Sequence, residues 1–308
     1  MHEATHPGAR TAPVPAASPV QTLWDLAGDA SPLTRVLPTK PKPVRAVSAT
    51  RSSLVVLASG SSGNCSALVH GEGRNRRVTL IDAGLSPART KKLLATMDLT
   101  LERVDEVVFT HLDADHAHKG WIKALPDHAR FWMHRRHRSR AGREGFLRRK
   151  TNIFETDAFE LSRGVTVAPT LLAHDQLGVA AFRFEWGGER AASLGYATDL
   201  GRITPQLVES LRGVDVLAIE SNYCPVMQNA SDRPAFLKDR IMNGAGHLSN
   251  EECKGAVSAI APRREVVLIH LSRQCNTPEL ASRYHAGMHY RLTVSAPDTP
   301  TRPIPMAI

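Results

Sequence analysis

The sequence predicts an α+β fold, a sandwich of two sheets with helices packed outside them. Three observations predict it. From Ser52 onward, short β-branched and apolar runs alternate with segments of helical spacing. The early runs follow one another with little helix between them, whereas the later ones alternate with helices, so both sheets need an outer layer. Several of the apolar runs also stop abruptly at a histidine or an acid.

Residues 1–50 stand apart from this pattern. Segments such as Thr11-Ala12-Pro13-Val14-Pro15 and Pro38-Thr39-Lys40-Pro41-Lys42-Pro43 bury too little apolar surface to offset chain entropy, so this extension is expected to be disordered. One apolar island, Val20-Gln21-Thr22-Leu23-Trp24-Asp25-Leu26, is a candidate short helix that docks on a protein partner or on the domain itself. The folded domain is expected over 51–295, with 296–308 as a C-terminal tail. Within it, strands are expected at 53–58, 77–82, 105–110, 165–169, 181–186, 192–198, 214–220 and 265–270. Helices are expected at 86–97, 204–211, 233–242, 250–260 and 277–284.

Bulk properties narrow the function classes. A formal charge of +9 favours an acidic partner such as nucleic acid. Aromatics make up only 5% of the chain, which argues against stacking on many exposed bases as the main binding mode. Cys65, Cys224, Cys253 and Cys275 are scattered without a C-x-x-C pair, so neither a disulfide framework nor a zinc ribbon follows. No secretory signal or long apolar run is visible. A cytoplasmic protein with reduced thiols and no membrane partner is the expected setting.

The chemistry concentrates in Thr110-His111-Leu112-Asp113-Ala114-Asp115-His116-Ala117-His118-Lys119-Gly120, directly after an apolar strand. Alternation puts His111, Asp113 and Asp115 on one side of an extended turn, with His116 offset. Imidazoles and carboxylates crowded this way repel or stay desolvated unless something positive sits between them. Two divalent cations about 3.5–4 Å apart would satisfy them, activate water and clamp a phosphate. A lone histidine is more often a surface or structural residue; this cluster is not a lone histidine. Further donors follow apolar stretches at His174, Asp199 and His270.

Taken together, these motifs resemble the metallo-β-lactamase fold hydrolases, and within them the YycJ/WalJ-type nuclease branch. The matching segments are Ser59-Gly60-Ser61-Ser62-Gly63-Asn64, Leu80-Ile81-Asp82-Ala83-Gly84-Leu85, the histidine-rich turn, His174-Asp175, Thr198-Asp199-Leu200-Gly201 and Glu220-Ser221-Asn222. Gly246-His247-Leu248-Ser249-Asn250 and His270-Leu271-Ser272-Arg273 with Asn276-Thr277-Pro278-Glu279 complete the series, in family order over roughly 52–295. The resemblance implies a four-layer αββα sandwich with the site along one edge of the sheets. It implies that His111, Asp113 and His174 hold one metal and that Asp115, His116 and His270 hold the other. Asp199 would bridge, and Asp82 would orient the site from behind. The metals would be Zn or Mn, and a bridging hydroxide would attack phosphorus.

Two departures accompany the resemblance. Asp113 stands where the family usually has histidine, a hard oxygen in place of nitrogen that tilts preference towards Mn. Asn222-Tyr223-Cys224 replaces the usual His-Asp after Glu-Ser-Asn. In phosphodiesterase members of the superfamily a histidine placed like His247 protonates the leaving oxygen. Asp115 and His247 are therefore the candidate catalytic groups, with helix capping or metal orientation as the alternative role for His247.

Substrate contacts are expected from Asn222, Ser272 and Arg273, and from a basic run containing Arg135, Arg136 and Arg138. Eight Arg/Lys residues lie between Arg135 and Lys150, with Glu144 as the one acid. Such a run can neutralise several phosphates, although a solvated face is its usual explanation. The glycine-rich 59–64 loop is a weak candidate for presenting N–H groups to an anion. The leading expectation is a metal-dependent phosphodiesterase acting on DNA, exonucleolytic action included. The alternatives are hydrolysis of a small ester, thioester, lactone or cyclic phosphodiester, and a non-catalytic nucleic-acid-binding module.

Overall fold

Runs that are apolar at every position, such as Val266-Val267-Leu268-Ile269, become strands covered on both faces. The computed structural model describes residues 51–187 and 191–307. The expected disordered extension and its 20–26 island lie outside the described residues.

The first sheet begins as an antiparallel meander of β1 (Ser52–Ala58), β2 (Cys65–His70) and β3 (Arg77–Ile81). It continues in parallel through β4 (Val104–Val108), β5 (Arg130–His134) and β6 (Thr151–Phe154). The second sheet runs antiparallel through β7 (Phe159–Glu160), β8 (Val165–Leu172), β9 (Val179–Trp186) and β10 (Ala192–Ala197). It then turns parallel with β11 (Val216–Glu220), β12 (Glu265–Ile269) and β13 (Arg291–Val294). The short β14 (Ile304–Pro305) closes the free edge of β1, with Leu54 paired to Ile304, so part of the expected C-terminal tail belongs to the first sheet.

Period-two alternation divides each strand between two cores. Leu54 and Val56 of β1 face Phe182, Val216, Val267 and Ile269 between the sheets. Val55 and Leu57 face outward into a second core, where α1 (Pro87–Ala95), α2 (Trp121–Ala124) and α3 (Arg138–Glu144) contribute Leu94, Trp121 and Ala141. The second sheet is covered likewise by α4 (Pro205–Leu211), and after the short α5 (Pro225–Ala230) and α6 (Ala235–Arg240), by α7 (Asn250–Ile260) and α8 (Pro278–Arg283). Leu207, Val257 and Ala281 pack there on Val266 and Leu268. The result is the expected αββα order.

Several boundaries differ from the sequence expectation, each for a local reason. The strand expected over 105–110 ends at Val108, because the Asp82 carboxylate captures the Thr110 N–H at 2.8 Å. The strand expected to stop at 169 continues to Leu172. Pro169 is tolerated because β7 pairs only with Thr166 and Val167, leaving that stretch of β8 an edge. The helix expected over 233–242 is broken into α6 and a π-helical turn at Ile241–Ala245. Gly246 makes that turn possible: a Cβ there would lie 2.6 Å from the Ile241 Cα. Helix α7 spans the residues expected of it, closed by a capping box in which Ser249 and Glu252 satisfy each other's backbone N–H.

Candidate metal centre

Parallel strands end on one edge of the sandwich, and the polar residues gather there. Asp82 follows β3, Asp199 lies two residues beyond β10, Glu220 ends β11 and His270 follows β12. Asp82, Asp199 and His270 have φ of 57°, 53° and 57°, a left-handed backbone that non-glycine residues rarely adopt. That strain turns each side chain sharply at its strand end and is held in place by the packing around it.

The histidine-rich turn is locked against the β3 loop by backbone. Ala83 N–H donates to His116 O at 2.7 Å, His118 N–H to Ala83 O at 2.9 Å, and Asn64 N–H to Asp115 O at 2.7 Å. This approach requires glycine at 84, where a Cβ would sit 1.7 Å from Asp115 O.

Each of the two expected ligand triads has its donor atoms within 4.8 Å of one another: His111 with Asp113 and His174, and Asp115 with His116 and His270. Asp199 lies between them. Its Oδ2 is 2.8 Å from His116 Nε2 and 3.9 Å from His111 Nε2, while its Oδ1 is 3.2 Å from His270 Nε2. His247 also groups with Asp199 and His270.

Most of these rings are held through the nitrogen that points away from the cluster. His116 Nδ1 is 2.7 Å from Asp82 Oδ2, His270 Nδ1 is 3.1 Å from Asn64 Oδ1, and His111 Nδ1 is 3.0 Å from Thr110 Oγ1. Such outward anchors fix tautomer and ring orientation in metal sites. His174 Nδ1 is buried without a hydrogen-bond partner among the described residues. Four imidazoles, of His111, His116, His174 and His270, converging with the carboxylates of Asp113, Asp115 and Asp199 are a donor set that divalent cations satisfy.

Electrostatics separate the rings. Burial holds His111 well below the ordinary histidine range and His270 down to about 3, towards the neutral form that ligates metals. Burial pushes His116 the same way, but Asp199 and Asp82 outweigh it and raise that ring. Burial opposes protonation of His247 too, yet its bond to Glu220 and the charges of Glu220, Asp199 and Asp115 raise it overall. Burial raises the Asp115 carboxyl against the pull of His116.

Glu220 and Asn64 are the residues to which sequence reasoning assigned no role. The fully buried Glu220 carboxylate accepts the N–H groups of Asp199, Leu200 and Leu248 at 2.9, 2.8 and 2.8 Å, and lies 3.2 Å from His247 Nδ1. It joins the β10 end to the loop carrying His247. Its signal was an acid closing the otherwise apolar run Val216-Leu217-Ala218-Ile219. Asn64 ties three segments together, accepting from Ser59 Oγ and Gly60 N–H and donating to Asp115 O. The N–H groups of Ser59, Gly60, Gly63 and Asn64 bond inside the protein, which narrows the expected anion contact of this loop to the exposed Ser61 and Ser62.

The expected substrate residues are placed variously. Asn222 is buried and donates to His270 O at 2.7 Å, which holds the loop that follows β12. Ser272 is buried and accepts from Arg233 and from Cys275 N–H. Arg273 pairs with Asp298 at 3.2 Å. Arg135 pairs with Glu155 at 2.6 Å, whereas Arg136 and Arg138 are exposed and form no ion pair among the described residues. Arg140, farther along the same run, reaches the site itself, 2.6 Å from Asp113 Oδ1. All four cysteines are free and buried, and no helix among the described residues is long and apolar enough to cross a membrane.

Comparison with known proteins identifies the superfamily of the chain. Residues 76–271 match the beta-lactamase superfamily domain. The chain is 26% identical to the exodeoxyribonuclease WalJ of Streptococcus pneumoniae over 264 residues, 80% of this chain and 95% of the relative. It is 27% identical to the exodeoxyribonuclease YycJ of Bacillus anthracis over 238 residues, 73% of this chain and 84% of the relative. Among solved structures, a diphosphatase from the PhnP family superposes with a TM-score of 0.59 at 14% identity, covering 83% of this chain and 98% of that one.

Proposed function

Because this chain belongs to the beta-lactamase superfamily and is a hydrolase of the metallo-β-lactamase fold, we propose that it is a two-metal phosphodiesterase that cleaves DNA from an end. The observation that carries the metal reading is the convergence of two histidine–carboxylate triads on the shared Asp199. The DNA reading is supported by the names of the curated relatives and by the exposed Arg136 and Arg138 on the run whose Arg140 reaches the cluster.

His111, Asp113 and His174 would hold one cation and Asp115, His116 and His270 the other, with Asp199 donating to both. When bound, such a pair supplies a water activated near neutral pH and charge to neutralise the reacting phosphate. The protein's own part is positioning. Asp82, Asn64 and Thr110 fix the rings of His116, His270 and His111 from outside the cluster. Glu220 holds Nδ1 of His247, whose ring lies 5.1 Å from that of His270 and 6.1 Å from that of His174. His247 thereby keeps a proton at the edge of both triads and gives it from Nε2 to the leaving oxygen. Arg136 and Arg138 bind backbone phosphates without reading sequence.

The test is cleavage of end-labelled single- and double-stranded DNA, and of RNA, by metal-stripped protein resupplied with manganese or zinc. Stepwise shortening from one DNA end, absent in an identically prepared His111→Ala protein, is expected. Tight DNA binding without cleavage in either metal would replace this reading with a binding module.

A further inference from the structure

Asp113 brings a full negative charge into a cluster that already contains Asp82, Asp115 and Asp199. The structure shows what answers it. Arg140, projecting from α3, donates Nη1 to Asp113 Oδ1 at 2.6 Å, while its Nε donates to Glu144 Oε1 at 2.9 Å. Glu144 in turn has Lys119 Nζ 3.9 Å away, so acids and bases alternate along the chain Asp113, Arg140, Glu144, Lys119. The Arg140 side chain is 24% exposed and clamped at both ends, unlike Arg136 and Arg138 in the same run. A guanidinium is permanently charged and planar, so it fixes the carboxylate it holds in direction as well as in charge.

The two oxygens of Asp113 thus have different surroundings. Oδ1 is taken by Arg140, and Oδ2 lies 3.7 Å from His111 Nε2 on the side of the His111–Asp113–His174 triad. We propose that Arg140 is the positioning residue of Asp113: it occupies one carboxylate oxygen, leaves the other as a single donor to a divalent cation, and offsets the charge that this donor adds. The inference rests on the reading of Asp113 as a metal ligand. It removes Arg140 from the residues available to substrate phosphates and makes it part of the metal site. A freely rotating carboxylate could chelate with both oxygens or swing to solvent, since Asp113 is 40% exposed; the clamp prevents both.

The experiment is manganese binding to the metal-stripped full chain, counted by electron paramagnetic resonance of the free ion and by calorimetry. Arg140→Gln is expected to weaken binding of one of two ions about 10–100-fold, the usual effect of removing a group that orients a ligand. Arg140→Lys, which keeps charge but loses the fork, should fall between it and the unaltered protein. Arg143→Gln on the same helix should bind as the unaltered protein does. Asp113→His combined with Arg140→Gln should restore two-ion binding, because a neutral imidazole needs no cation behind it. Circular dichroism on each variant reports folding, and the double variant keeps the test decisive if Arg140→Gln alone folds poorly. Manganese binding of Arg140→Gln within about two-fold of the unaltered protein, or a double variant as weak as the single one, overturns the inference. Since the readout is bound metal, absence of cleavage of any nucleic acid would sink the phosphodiesterase reading and leave this one standing.

Discussion

Glu220→Gln tests how the loops carrying Asp199 and His247 are held together. The Oε1 of Glu220 accepts Leu200 N–H and Leu248 N–H, while Oε2 accepts Asp199 N–H and faces His247 Nδ1. Glutamine keeps one oxygen. Its NH2 group replaces the other, setting two donors face to face at Asp199 in a fully buried place. A lost hydrogen bond to a charged acceptor costs about 1.5–3 kcal/mol and an unsatisfied buried donor about 1–3 kcal/mol. Relief from burying a charge offsets part of that, so a net loss of about 2–4 kcal/mol is expected. This is a large share of the 5–15 kcal/mol typical of a domain. Urea unfolding of the metal-stripped protein, followed by circular dichroism, should show a lower midpoint with an unchanged slope. A loss below about 1 kcal/mol would refute the idea that this carboxylate joins the Asp199 and His247 loops.

Three further outcomes are expected. Gly84→Ala should destabilise the protein by more than about 3 kcal/mol or fail to fold, because its Cβ would meet Asp115 O at 1.7 Å and neither backbone can yield; a soluble variant of ordinary melting temperature contradicts this. His70 is buried between Ser52, Thr79 and Trp186, and burial with the nearby Arg163 lowers it from 6.5 to about 4. Between those pH values the unfolded chain binds a proton and the folded one does not, so stability falls on acidification from pH 6.5 to 4, by up to about 1.4 kcal/mol per pH unit. In His70→Gln that part of the slope should vanish, and an identical slope in both proteins, by denaturant titration across this range, would show the ring already titrates normally. Arg136→Ala with Arg138→Ala should flatten the plot of log DNA affinity against log salt by up to about 2, measured by fluorescence anisotropy; an unchanged slope would mean these arginines meet no phosphates.

The candidate ligands at strand ends were legible because each follows an apolar run. A histidine after Val266-Val267-Leu268-Ile269, or an aspartate after the 192–197 strand, has no reason to be polar unless the strand end faces something. What the sequence concealed was the support behind them. Glu220 closes its strand as an acid that ordinarily faces water, and only the fold shows three backbone donors converging on it. Asn64 sits in a glycine-rich loop whose composition suggests anion binding, whereas its amide fastens neighbouring loops instead. Arg140 was one cation among eight, since a charge run does not reveal which member turns inward. Among the strands, β2 and β5 escaped notice because Cys65-Ser66-Ala67-Leu68-Val69-His70 and Arg130-Phe131-Trp132-Met133-His134 have few β-branched residues, and their pairing comes from neighbours distant in sequence. The edge strand β14 is two residues long, too short for any period to show.

The central claim is that two cations held by the two triads act together on a phosphodiester. It is tested most directly by titrating manganese into metal-stripped protein while bound metal and cleavage of end-labelled DNA are followed in the same sample. The account predicts two ions per chain, with cleavage rising only as the second binds, and one ion without cleavage in His174→Ala. Cleavage that saturates with the first ion, or two bound ions without hydrolysis of any phosphodiester, would contradict it.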